Sequence, residues 1–114
     1  MNLYETTPDL ILEEIENRSN ALMEAEQEYV EKETNFKAWC AGAIVAHKNA
    51  GNSVAAAENL MKVKNPKTGE NPWADMYQEL NNLAVQVEKL KRDHRRAMLA
   101  AELWRTEQSN RRVV

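Results

Sequence analysis

The chain has 114 residues, a net charge of −3, three Gly, three Pro and a single Cys. That is one domain's worth of chain, poor in the β-branched and aromatic residues of a sheet and rich in helix formers. The lone Cys40 excludes an internal disulfide and points to a reducing, cytoplasmic compartment. No apolar run approaches the roughly 20 residues that a membrane span needs, and MNLYETTPDLILEE has neither the basic nor the apolar segment of a secretory signal.

Thr7-Pro8-Asp9 is a helix start: Thr7 can cap, Pro8 suits the first helical position, and Asp9 suits the positive end of the dipole. No strong breaker follows before Gly51-Asn52, so a first helix is predicted over 8–50. Its apolar row steps by seven through Ile15, Leu22, Tyr29, Phe36 and Ala43. A second row, Ile11, Ala25, Trp39 and Ala46, is interrupted by Arg18 and Lys32. Ser53 then caps a short helix over 54–63, and a turn-rich loop follows over 64–71. Asn71-Pro72 opens the last helix, predicted over 72–110. Its two rows are Trp73, Leu80, Val87, His94, Ala101 and Met76, Leu83, Leu90, Ala97, Trp104, a coiled-coil signature held over nearly five heptads. The expected fold is all-α: a long antiparallel helical hairpin, coiled-coil-like, with a short helix at its tip, assembling into a helical bundle.

The charge is split along the chain. Residues 1–35 hold ten acids against Arg18 and Lys32, and residues 89–112 hold eight bases against Asp93, Glu102 and Glu107. Two readings of the basic stretch KLKRDHRR stay open. With the turn at 51–71, opposed residue numbers would add to about 120. Glu31 and Glu33 would then meet Lys89 and Lys91, and Glu26 and Glu28 would meet Arg95. Alternatively, bases left over from such pairing would contact phosphates. The candidates for that role are Arg92, Arg96, Arg111 and Arg112, with Lys62, Lys64 and Lys67 near Trp73 at the tip.

Leu99 and Leu103 fall opposite the predicted seam, Met98 adds to them, and Leu10 and Leu12 broaden the start of the first helix. A helix apolar on two sides is normally buried on two sides, so these five residues form an expected homo-oligomer interface. The alternative is that Leu3 and Tyr4 fold back over the patch.

Reactive constellations are not expected. Cys40 and His47 share a helical face, but two ligands do not make a zinc site, and no Glu-x-x-His pairs suited to a di-iron bundle occur. His47 is placed to approach Asp75, and His94 sits in a core row where a polar residue sets register. NPKTGENP lacks the spacing of a phosphate-binding loop. No enzyme, cofactor or metal is therefore expected.

The acidic-then-basic hairpin layout across residues 20–112, with GNSVAAAE at the tip and LWRTEQSNRR near the end, resembles the short accessory proteins encoded in phage and prophage genomes, some from recombination gene clusters. The resemblance implies an oligomeric helper in the host cytoplasm that acts on single-stranded DNA or through DNA-processing proteins. It transfers no named site. A pure protein-interaction module, such as an inhibitor, adaptor or assembly factor, is the other expectation.

Overall fold

The computed structural model describes residues 7–113, with side chains described from 7 to 111. Leu3, Tyr4 and the Arg112 side chain lie outside the described residues. The architecture is all-α, as expected: α1 spans Pro8–Asn49, α2 Val54–Met61 and α3 Pro72–Val113. The short helix stops two residues early because Lys62 and Val63 close a tighter turn onto Asn59 and Leu60. The last helix runs three residues further than predicted.

Each start uses the cap its sequence offers. Thr7 Oγ1 accepts from the Leu10 amide at 3.3 Å, and Ser53 Oγ from the Ala56 amide at 3.2 Å. Asn71 works in two directions. Its Oδ1 accepts from the Ala74 amide at 3.1 Å, and its Nδ2 donates to the Lys62 carbonyl at 3.1 Å. α1 ends where Gly51 takes φ +99°, which a side chain would resist. The Asn52 backbone and side-chain amides both donate to the His47 carbonyl, at 3.2 and 3.0 Å.

The chain divides into two compact units, one made of Met1–Glu26 with Val85–Val114 and the other of Gln27–Ala84. In the first, α1 and α3 pair antiparallel around buried Ile11, Ala25, Val87, Ala97 and Ala101, with Ile15, Leu22, Leu90, His94 and Trp104 half-buried. Arg18 crosses to Asp93 at 3.8 Å while holding Glu14 at 2.9 Å. In the second unit Leu80, Leu83 and Ala57 are buried, and Tyr29, Phe36, Trp39, Ala43, Trp73 and Met76 are half-buried. There Lys32 crosses to Glu79 at 3.2 Å. Every residue of both α3 heptad rows is buried or half-buried.

The register differs from the expected one. The numbers of Arg18 and Asp93, like those of Lys32 and Glu79, add to 111 rather than about 120. The cause is the connection between the long helices. In the second unit, α2 and its loop lie back along the end of α1. Trp39, Ala43 and His47 there share a groove with Leu60, Met61, Val63 and Pro72. α3 therefore begins opposite Trp39 instead of opposite the end of α1. Ala46, predicted in the seam, is exposed for the same reason. The predicted approach of His47 to Asp75 also fails, since this register sets Asp75 opposite Phe36.

The expected charge pairing fails with it. Lys91 comes opposite Asn20 and binds Glu88 on its own helix at 3.4 Å. Arg95 comes opposite Glu16. Glu31 and Glu33 come opposite Leu80 and Gln78. Glu33 is engaged along α1, where hydrogen bonds from Lys37, at 3.2 Å, and from Tyr29 hold its carboxyl below the usual range. The cross-helix ion pairs among the described residues have inverted polarity, with the base on α1 and the acid on α3.

A pair of double-mutant cycles checks this register. Lys32→Glu with Glu79→Lys should couple by a few tenths of a kcal/mol, the size of an exposed pair. Lys91→Glu and Arg95→Glu combined with Glu28→Lys and Glu31→Lys should be additive. Urea melts at low salt distinguish the two registers, because a nine-residue shift would exchange the results.

Candidate nucleic-acid interface

At the tip, within the second unit, the register brings three aromatic rings and a lysine together. Trp73 and Tyr77, one turn apart on α3, stack with centroids 5.0 Å apart and planes 9° apart. Phe36 from α1 leans on both, at 6.3 Å from Trp73 and 6.4 Å from Tyr77. Lys62, the C-cap of α2, sets its ammonium 5.3 Å from the Trp73 ring centroid. Trp73 is thus part of the packing and of the surface, while Tyr77 remains 47% exposed.

Lys48, Lys62, Lys64 and Lys67 are exposed, and among the described residues none has a carboxylate within 4.0 Å. The loop that carries two of them is closed on itself. The Asn65 amide donates to the Glu70 carbonyl and the Gly69 amide to the Asn65 carbonyl, both at 2.8 Å, with Gly69 at φ +75°. Asn65 Oδ1 also accepts from the Lys67 amide at 2.9 Å. These bonds fix the loop backbone, while the exposed Lys64 and Lys67 line a groove with Trp39 and His47 and the Lys64 stem passes close to Gly69. Cys40 is half-buried beside them; burial pushes its thiol pKa up, opposed by the charge of Lys62. A thiol held protonated in this way is a poor nucleophile and a poor metal ligand.

In the first unit, Lys89, Arg92, Arg95, Arg96 and Arg105 likewise have no carboxylate within 4.0 Å among the described residues. Arg111 is engaged with Glu107 at 3.4 Å. The structure therefore separates the predicted phosphate contacts. Lys62 lies over the Trp73 ring, and Lys64 and Lys67 line a groove with Trp39 and His47 in the same unit. In the other unit Arg92 is exposed, while Arg96 borders a groove with Glu14 and Arg18. Of the predicted interface residues, Leu10, Leu12, Met98, Leu99 and Leu103 are all exposed, from 40 to 64%. Two of them border different clefts. Leu12 borders an apolar cavity of about 300 Å³ with Ile11, Ile15, Ala101 and Trp104. Leu103 instead borders a polar groove of about 400 Å³ with Glu14, Arg18, Asp93 and Arg96.

The sequence reading missed the Trp73–Tyr77 stack and the part of Phe36 in it. Two aromatic residues four apart on a helix signal such a stack, but Tyr77 lies beside the heptad rows rather than in them. Among the described residues no group of three His, Cys, Asp or Glu is placed to hold a metal ion, and no helix is long and apolar enough to cross a membrane. Compared with known protein families, curated proteins and solved structures, the chain matches none.

Proposed function

We propose that this chain is a non-enzymatic helical accessory protein of the cytoplasm that holds single-stranded nucleic acid at its tip. In this role it would assist DNA-processing proteins, as the resemblance to phage-encoded helpers suggests. The observation that carries the reading is the exposed Lys62 ammonium beside the Trp73–Tyr77 stack, with Lys48, Lys64 and Lys67 exposed on the same unit. Single strands are held without sequence preference by cations along the phosphates and by aromatic rings under the bases, each ring contributing on the order of 1–3 kcal/mol per base. Tyr77 offers the more accessible ring for stacking, and Lys48, Lys62, Lys64 and Lys67 offer the cations. The helices supply a rigid support and no reacting group.

The test is a fluorescence-anisotropy titration of oligo(dT) at increasing salt. Affinity should fall steeply with salt, at a slope of about 0.7 per phosphate contact for a single strand. Changing Lys62, Lys64 and Lys67 to Ala should flatten that slope by about two and weaken binding at least tenfold at low salt. Unmodified protein that fails to bind at low salt would reject the reading. The exposed leucines of the first unit would then favour a protein-interaction module without nucleic-acid affinity.

A further inference from the structure

The tip leaves one large feature unused: the acid–base split of the two long helices. In the first unit this split is not resolved inside the chain, and heptad position explains why. Residues two places from both flanking seam residues lie about 200° around a helix from each, on the side facing away from the seam. On α3 Arg92 and Leu99 meet that condition, and Lys89, Arg96 and Leu103, two places from one seam residue and one from the next, widen the outward face beside them. On α1 Glu13 and Asn20 meet it, and Leu10, Asn17 and Glu24 widen the face in the same way, with Glu16 flanking it as Arg95 flanks the other. All of these residues are exposed. Arg96 and Leu103 also border the groove that α1 lines with Glu14 and Arg18, yet among the described residues none of Lys89, Arg92 and Arg96 has a carboxylate within 4.0 Å.

Between copies the two faces match. We propose that the outward face of α3 in one copy docks on the outward face of α1 in a second copy, antiparallel and in the register already used inside the chain. With opposed numbers adding to about 111, Leu10 falls between Leu99 and Leu103. Glu13 and Glu16 then fall beside Arg96 and Arg95, and Glu24 beside Lys89. Apolar residues meet apolar residues at one end, and carboxylates meet bases along the rest. The other pairings fail on charge: α3 against α3 apposes Arg92 and Arg96 with themselves, and α1 against α1 apposes the acids. Pairing unlike faces is a heterologous contact, which a dimer leaves half used and which repetition closes into a ring or extends into a filament. Leu99 at 57% and Leu103 at 59% exposed are covered in this arrangement.

The experiment uses two full-length charge variants. The first carries Glu13→Lys, Glu16→Lys and Glu24→Lys, and the second Arg92→Glu, Arg95→Glu and Arg96→Glu. Circular dichroism verifies that each stays helical, and light scattering at low salt gives the mass. The unmodified chain should have a mass of at least three copies. Each variant alone should fall to one copy, because both its faces then carry the same sign. An equimolar mixture should recover the large assembly, since the natural α3 face of the first variant meets the natural α1 face of the second and the two altered faces meet each other with opposite sign. Leu99→Glu with Leu103→Glu should also give one copy while remaining helical. An unmodified chain of one or two copies would overturn the proposal without reference to any variant. So would a helical variant that keeps its full mass, or a mixture that fails to assemble. If the arginine variant loses oligo(dT) binding while the unmodified chain is a single copy, the basic stripe is a phosphate-binding face instead.

Discussion

Replacing Trp73 with alanine should destabilise the protein by about 3 kcal/mol, the low end for removing a large aromatic side chain because this one is half-buried. Three contacts go together: the stack on Tyr77, the tilted contact with Phe36 and the approach of the Lys62 ammonium. Aromatic pairs and an exposed cation–π contact contribute about 0.5–1.5 kcal/mol each beyond burial, so the loss exceeds that of a plain apolar truncation. Trp73→Phe, which keeps a ring against Tyr77 and Phe36, should lose less than half as much. Urea denaturation followed by circular dichroism measures both. Equal losses for the two variants would show that the stack contributes nothing and that only volume matters at this position.

Ala57→Leu is the second large effect, and its cause is the opposite one. Ala57 is 0% exposed in a helix of eight residues, and added methyl groups there have no space to enter. Overpacking typically costs 1–3 kcal/mol. Here the strain falls on a short element held by a cap at each end, so α2 should shift from its place on α1. Ala57→Gly, which adds no volume, should cost only about 1 kcal/mol through helix propensity. Thermal melts rank the pair. A leucine variant as stable as the parent would mean that α2 is already loose.

Much of the architecture was legible because it rests on local signals. Thr7-Pro8, Ser53 and Asn71-Pro72 each announce a helix start by their own chemistry, and all three act as caps. The α3 heptads predicted buried positions well, because period and burial are both properties of one helix. Register is different. It depends on how much of α1 the connection covers, and nothing in GNSVAAAENLMKVKNPKTGEN states that α2 lies back along α1. Placing the turn symmetrically moved every cross-helix pair by about nine residues and assigned Glu31 and Glu33 the wrong neighbours. Arg18 and Lys32 carried the missing information. As bases in an apolar row they required acids opposite, and Asp93 and Glu79 fix the register when taken as those acids. The aromatic cluster was legible only in part, since Phe36 reaches it through the same register.

The two-way amide of Asn71 has a consequence for how the ends of α2 and α3 fray. A helix terminus normally opens by itself, one turn at a time, at little free-energy cost. Asn71 holds the Lys62 carbonyl, at the C-cap of α2, with its nitrogen and caps α3 with its oxygen, so one ordered side chain serves both termini. Because the cap on α3 orders that side chain, fraying at the C-cap of α2 gives up a bond whose donor is already held by a 42-residue neighbour. An eight-residue helix, too short to persist in isolation, borrows its lifetime from the longer element through one side chain.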